Sequence, residues 1–169
     1  MYLMIKYSRL KSNIEDILEV ATLVKKRGHK KSLDELCIGF SKELTEFGEN
    51  KLRIYIAKIN QNVVGFCRIR LFEKYEFPEA KDELLGWYLM GIIICENHRR
   101  KGIGTRLSEM AMKDIKKEND IFVLINKENN SSIEMHKNLG FEIIAKGDQF
   151  FKVSFSGGNG YILKREKGV

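Results

Sequence analysis

Residues 91–105 constrain the fold more than any other stretch, because they pass from a buried strand through a basic loop into a helix. Residues 92–94 are three consecutive isoleucines, which is typical of a strand covered on both faces. The sequence Arg99-Arg-Lys-Gly-Ile-Gly-Thr105 follows. From Leu107 onward, apolar residues recur at helical spacing. This stretch therefore predicts a buried strand, a tight basic loop and a helix opened by glycine.

The basic loop between the strand and the helix has the chemistry of a phosphate-binding site. Gly102 and Gly104 allow the backbone to come close to a ligand. The unpaired N–H groups at a helix start attract anions, together with nearby cations. We therefore predict that residues 99–105 hold a pyrophosphate. The spacing matches neither the Gly-x4-Gly-Lys-Ser/Thr of a P-loop nor the Gly-x-Gly-x-x-Gly of a dinucleotide fold.

A second motif lies downstream, after another strand-like run. It combines Asn129-x-x-Ser132 with a short helical stretch and with Gly140-Phe141, which opens a further strand. The first motif is Arg-x-x-Gly-x-Gly after an apolar strand, and the second is Asn-x-x-Ser before Gly-Phe. In this order the pair resembles the GNAT family of N-acetyltransferases. The resemblance covers residues 86–147 and implies acetyl-CoA as the cofactor, with no metal.

The rest of the chain alternates strands and helices in the order that this family implies. The patterns predict a strand at 2–8 and two helices opened by capping boxes at 12–15 and 32–35. A hairpin, the central strand and further alternating helices and strands follow. The resemblance implies a single GNAT acetyltransferase domain over residues 1–169. Its fold class is α/β (α+β mixed), with a central twisted mixed β-sheet of about seven strands flanked by helices on both faces.

By the same resemblance, three parts of the chain are expected to hold the cofactor. Backbone groups of the central strand would pair with the pantetheine, and the basic loop would bind the pyrophosphate. Asn129 would contact the pantetheine, although it is also well suited to cap the helix that follows it, and both roles are compatible. The predicted cofactor-binding residues are Ile92, Ile93, Ile94, Arg99, Arg100, Lys101, Gly102, Ile103, Gly104, Thr105, Asn129 and Ser132.

Three residues are candidates for the proton transfers that amide formation requires. His136 stands where many family members carry a tyrosine that acts as general acid; the alternative is a half-buried packing histidine. Tyr88 occupies the position of the glutamate base of some members, although a phenol with a pKa near ~10 is a poor base at neutral pH. Glu83 would deprotonate the acceptor ammonium through a water molecule, or remain a solvated carboxylate.

The acidic segment 73–83 bears on the acceptor. It holds five carboxylates against two lysines, in a chain whose formal net charge is +7. In the family this segment lies near the acceptor mouth, so a local negative field favours a cationic amine. We therefore expect acetyl transfer, by direct attack in a ternary complex, to a small cationic amine of the polyamine or aminosugar/aminoglycoside type. The alternatives are a protein lysine or N-terminus as acceptor, or a catalytically weak CoA-binding regulatory module.

Composition limits the compartment and the partners. Cys37, Cys67 and Cys95 are isolated, so neither a disulfide framework nor a metal site is expected, and a reducing cytoplasm is the default. No apolar run reaches the length of a membrane span. The basic clusters at 25–31 and 99–101 carry no recognisable nucleic-acid motif, which argues against that partner. A homodimer stays an open alternative.

Overall fold

Nine strands and four α-helices are present in residues 4–168, the part of the chain that the computed structural model describes. The strands are β1 (Lys6–Arg9), β2 (Leu52–Ile59), β3 (Asn62–Phe72), β4 (Gly86–Ile94), β5 (Ile121–Asn126), β6 (Glu142–Gly147), β7 (Gln149–Phe150), β8 (Val153–Ser154) and β9 (Gly160–Arg165). The helices are α1 (Ile14–Lys26), α2 (Leu33–Lys51), α3 (Ile103–Lys113) and α4 (Asn130–Asn138). None of these helices is both long enough and apolar enough to cross a membrane.

Seven of the strands form one mixed sheet, in the order β1-β2-β3-β4-β5-β9-β6, while β7 and β8 pair as a separate hairpin. β4 and β5 are parallel, with residues 87–89 opposite 121–123. β9 lies antiparallel between β5 and β6. The predicted fold class is therefore confirmed. The strand predicted at 2–8 corresponds to β1, and its first two residues lie outside the described part of the chain.

Polar side chains fix where α1 and α2 begin. Ser32 forms the predicted capping box: its Oγ accepts from the Glu35 N–H at 3.2 Å, and the Glu35 carboxylate accepts from the Ser32 N–H at 2.7 Å. The predicted cap at Ser12 is wrong. Asn13 caps α1 instead, because its side-chain oxygen accepts from the Glu15 N–H at 2.8 Å. Asparagine is among the strongest N-terminal caps.

The described chain groups into two compact units, and the first runs to Ile69 and also includes Gly91–Ala111. In this unit α1 and α2 cover one face of β2 and β3, where Phe66 is buried against both helices. Cys67 points to the opposite face of β3, because side chains alternate along a strand. Its thiol donates to the Leu107 carbonyl oxygen of α3 at 3.4 Å. Helices thus flank this part of the sheet on both faces, as predicted.

The second unit comprises Arg70–Met90 and the residues from Met112 onward. Its centre is an aromatic cluster in which the Tyr88 ring stacks between two phenylalanines. The ring centroids lie 4.4 Å from Phe72 and 5.1 Å from Phe122. Phe151, in the turn of the β7–β8 hairpin, closes the cluster edge-on at 5.2 Å from Tyr88.

Candidate functional site

The loop that connects β4 to α3 leads to a set of backbone donors that the helix itself does not use. Arg100 (φ 56°) and Gly102 (φ 75°) both adopt the left-handed conformation. The first helical bond of α3 runs from the Arg106 N–H to the Gly102 carbonyl oxygen at 3.0 Å. The N–H groups of residues 103–105 come before it and have no acceptor within the helix. A Cβ built on Gly102 would meet no protein atom within 4 Å, so the space beside this helix start is open.

Three exposed cations surround this helix start: Arg99, Arg100 and Lys101. The Arg99 side chain is partly held by the end of β4, since its Nε donates to the Ile94 carbonyl oxygen at 3.3 Å. Open N–H donors beside cations are the groups that bind phosphate oxygens at a helix start. The residues present therefore fit the polyanionic end of acetyl-CoA. The residue-level assignment of the cofactor to residues 99–105 stays a prediction.

The β4 strand borders two clefts in the first unit. Residues 92–94 are half-buried, and Gly91, with φ 62°, interrupts the regular extended backbone just before them. The first cleft, here called the α2 cleft, has a volume of about 280 Å³, and its lining includes Glu35, Phe40, Glu43, Arg68, Gly91 and Ile93. The second, here called the loop cleft, has a volume of about 410 Å³, and its lining includes Lys26, Arg27, Ile93, Ile94, Glu96 and Arg99.

An ion pair inside the α2 cleft was not predicted from the sequence. Arg68 Nη1 lies 2.7 Å from Glu43 Oε2, and the guanidinium also sits 5.8 Å from the centroid of the Phe40 ring. A Cβ on Gly91 would come within 3.2 Å of Arg68 Nε, so glycine at this position leaves room for the arginine. The signal in the sequence was Arg68 itself, one of two arginines within a largely apolar strand.

His136 on α4 is fully enclosed, with 1% of its surface exposed. Its Nδ1 lies 2.7 Å from the Ser132 carbonyl oxygen. A carbonyl can only accept, so Nδ1 carries the proton, and Nε2 is then an unprotonated nitrogen that is buried without a hydrogen-bond partner. Burial lowers the pKa of His136, and the bond to Ser132 offsets this only in part. A general acid needs a proton on Nε2, so this role for His136 stays a prediction.

We expect His136 to make the stability of the chain depend on pH. The unfolded chain binds a proton at this histidine below a pKa of about 6.5, whereas the buried native imidazole resists protonation. The free energy of unfolding therefore has its full value above pH 6.5 and decreases as the pH falls toward the lowered native pKa of His136. Through this one group, the free energy of unfolding changes by at most about 1.4 kcal/mol per pH unit.

Urea unfolding between pH 5 and 7 measures this slope in the parent chain and in His136→Phe, which keeps a ring against Phe141. The parent should show the steeper loss. His29→Gln, a change at an exposed histidine, serves as the control and should keep the slope of the parent. Identical slopes in the parent and His136→Phe would contradict the prediction.

Tyr88 and Glu83 differ in their accessibility. The Tyr88 hydroxyl donates to the Leu84 carbonyl oxygen at 2.6 Å, and burial raises the pKa of its phenol far above the ordinary value. Tyr88 is therefore a packed aromatic residue whose hydroxyl is occupied and a poor candidate for proton abstraction. Glu83 lies exposed in a 3₁₀ turn, Asp82–Leu84, just before β4. The catalytic roles of both residues stay predictions.

Asn129 and Ser132 lie at the start of α4. Asn129 caps the helix, because its side-chain oxygen accepts from the Ser132 N–H at 3.3 Å. Its capping role is thus present, and the predicted contact of Asn129 with pantetheine stays a prediction. The Ser132 hydroxyl lies 3.4 Å from His136 Nδ1, so α4 brings Ser132 and His136 together.

The acidic segment 73–83 is less negative locally than its composition suggested. Glu76 forms an ion pair with Arg70. Asp82 lies 2.8 Å from Lys74 Nζ. These pairs offset part of the field that favoured a cationic acceptor.

The sequence model of the acetyltransferase (GNAT) family matches residues 15–141. Among proteins with assigned names, an N-alpha-acetyltransferase of Sulfurisphaera tokodaii is 27% identical over 100 residues, which cover 56% of this chain and 59% of that protein. An N-alpha-acetyltransferase of Saccharolobus solfataricus is 27% identical over 107 residues, covering 61% of this chain and 62% of that protein. Each match therefore spans less than two thirds of the relative's own length.

The solved structures show the same fold. A chain from the NatC complex bound to Gag peptide and CoA superimposes with a TM-score of 0.73 at 18% identity, covering 96% of this chain and 98% of that chain. The family match extends over most of the sequence, including the basic loop and the motif around Asn129. It confirms the predicted family. The chain belongs to the acetyltransferase (GNAT) family.

Proposed function

We propose that this chain transfers an acetyl group from acetyl-CoA to the α-amine at the N-terminus of a polypeptide. The observation that carries the proposal is the start of α3 at residues 103–105, whose N–H groups have no acceptor within the helix, with three exposed cations beside it and open space in front of Gly102. The polypeptide acceptor is supported by the two relatives named N-alpha-acetyltransferase and by the peptide in the NatC structure.

In this proposal the basic loop and β4 bind different parts of the cofactor. The N–H groups of residues 103–105 and the cations at 99–101 hold the phosphates by charge-assisted hydrogen bonds. Backbone groups of residues 92–94 align the pantetheine, with Asn129 as a further contact. When bound, acetyl-CoA supplies an acetyl group that is already activated as a thioester.

The acceptor amine must lose a proton before it can act as a nucleophile. Two exposed or half-buried carboxylates are suited to accept that proton, Glu83 before β4 and Glu43 in the α2 cleft. Each would act through its own lone pair or through a water molecule.

A small cationic amine remains the second candidate acceptor, because Glu79 and Glu83 of the acidic segment are exposed. The third candidate is a module that binds CoA without turnover. The three differ in which amine, if any, leads to release of the CoA thiol.

We therefore expect thiol release to be fastest with a peptide whose N-terminus is free. Three other compounds are compared with it: the same peptide with an acetylated N-terminus and one lysine, a polyamine, and an aminoglycoside. Each compound is incubated with acetyl-CoA and the full chain. A faster rate with the polyamine or the aminoglycoside would support the small-amine acceptor. A faster rate with the blocked peptide would assign a lysine acceptor. If no amine releases thiol, although acetyl-CoA raises the melting temperature, the chain is a binding module.

A further inference from the structure

The connection between α1 and α2, residues 25–31, carries a concentration of positive charge that the proposed function has not used. This basic segment holds five cations and no carboxylate, and all seven of its residues are exposed. Among residues 4–168, none of the ion pairs within 4 Å involves Lys26, Arg27, Lys30 or Lys31. The charges of Lys26, Arg27 and Lys30 are therefore available to a ligand, whereas Lys31 interacts electrostatically with the Glu35 carboxylate.

The backbone of the basic segment is held in one conformation by its own hydrogen bonds. Lys25 Nζ donates to the carbonyl oxygens of His29 and Lys31, at 3.1 and 2.9 Å. His29 Nδ1 accepts from the Lys31 N–H at 3.2 Å. Gly28 ends α1 in the left-handed conformation, with φ 87°. Lys25 thus stabilises the conformation of the loop, and the other cations lie on an ordered backbone.

Helix stability alone does not account for this charge distribution. Lys26 and Arg27 lie at the C-terminus of α1, where cations interact favourably with the helix dipole. Lys30 and Lys31 instead come just before the N-terminus of α2, where the same dipole disfavours cations. The interaction of Lys31 with Glu35 accounts for one of these two cations. Lys30, together with Lys26 and Arg27, remains as positive charge that an anionic ligand would use.

The segment borders both clefts at β4. His29 and Lys31 line the α2 cleft, while Lys26 and Arg27 line the loop cleft beside Arg99. Ile93 of β4 lines both clefts. A polypeptide whose N-terminus reached β4 through either cleft would therefore continue past this basic segment on its way to solvent.

We propose that residues 25–31 select acceptor polypeptides that carry acidic residues shortly after their N-terminus. This inference rests on the proposed function, because it needs a polypeptide acceptor. The phosphates of the cofactor already have their own cations at residues 99–101 and the open helix start of α3. The acceptor is the other ligand expected at β4, and carboxylates are the anions that a polypeptide supplies.

The test compares three peptides that share their first two residues and differ only at positions three to six, which are acidic, neutral or basic. The loop variant Lys26→Gln/Arg27→Gln/Lys30→Gln removes three charges and leaves Lys25, which holds the backbone. The control variant Lys113→Gln/Lys116→Gln/Lys117→Gln removes three exposed charges elsewhere. The kcat/KM for each peptide and the KM for acetyl-CoA are measured with the full chain at low and at physiological salt.

We expect the parent to prefer the acidic peptide, through a lower KM, and the preference to shrink as salt rises. Exposed ion pairs each contribute a factor of about 1.4 to 5, so three lost cations should weaken the acidic peptide by roughly 3- to 150-fold. The neutral peptide should respond little, and the control variant should behave as the parent.

Several results would overturn this inference while leaving the proposed function intact. The first is that the parent has the same kcat/KM for all three peptides. The second is that the loop and control variants lose the same factor in kcat/KM for the acidic peptide. The third is that the loop variant differs from the parent only in its KM for acetyl-CoA. Binding of a short RNA that depends on the segment, without any preference for the acidic peptide, would also overturn it. Failure of the parent to acetylate any of the peptides would reject the proposed function itself.

Discussion

The Gly102→Ala variant is expected to bind acetyl-CoA about 10- to 100-fold more weakly than the parent chain while remaining folded. Gly102 has φ 75°, and a Cβ there would meet no protein atom, so the added methyl group would enter the open space beside the start of α3. Displacing a phosphate from one charge-assisted hydrogen bond removes about 1.5–3 kcal/mol of binding energy, which is about 10- to 100-fold in affinity. Isothermal titration calorimetry measures this affinity directly.

Gly158→Ala is the matched control for this variant. Gly158 also has a positive φ, 71°, and a Cβ there would likewise meet no atom within 4 Å. Both substitutions should therefore lower the free energy of unfolding by a similar amount, about 1–2 kcal/mol. Unchanged affinity in Gly102→Ala, or the same loss of affinity in Gly158→Ala, would show that the phosphates do not sit at this helix start.

Tyr88→Ala is expected to lower the free energy of unfolding by about 3–5 kcal/mol, the usual cost of removing a large buried aromatic side chain. The Tyr88 ring is 1% exposed and stacks between Phe72 and Phe122. Its loss leaves a cavity that the edge-on ring of Phe151 cannot fill without moving. Urea unfolding at fixed pH measures the change.

Tyr88→Phe separates the ring from the hydroxyl. This variant keeps the stacking and loses the hydrogen bond to the Leu84 carbonyl oxygen, so it should lose only about 1 kcal/mol. A loss as large as that of Tyr88→Ala would contradict the packing role assigned to the ring. Turnover of the same variant tests the catalytic prediction: a fall of more than tenfold would support it, and no fall would leave Tyr88 as a packing residue.

The sequence predicted those parts of the fold that depend on local periodicity and capping. The isoleucines of β4 and the Ser32 capping box have local causes, and both elements are present in the structure. The turn of the β7–β8 hairpin could not be placed from the sequence, for an equally local reason. This turn consists of Phe151 and Lys152, with φ 48° and 65°, where asparagine and glycine are the usual residues. The contact of Phe151 with the aromatic cluster accounts for this exception.

The candidate site was predictable where its chemistry lies in consecutive residues. The loop at 99–105 has a left-handed glycine, Gly102, and it leads to N–H groups that have no acceptor within α3. The environment of His136 could not be read from spacing, because its burial depends on packing against Phe141. The local charge of segment 73–83 depends in the same way on a residue outside the segment, since Glu76 pairs with Arg70 of β3. Pairing and burial are set by tertiary neighbours, which periodicity does not report.

The position of the acetyl group on a peptide that offers both kinds of amine tests the central claim most directly. The peptide has a free N-terminus and one internal lysine, and it is incubated with the full chain and isotopically labelled acetyl-CoA. Tandem mass spectrometry then locates the label. Our account predicts that the label appears on the α-amine and not on the lysine. Label on the lysine alone, or no label on the peptide under conditions in which a polyamine is acetylated, would contradict it.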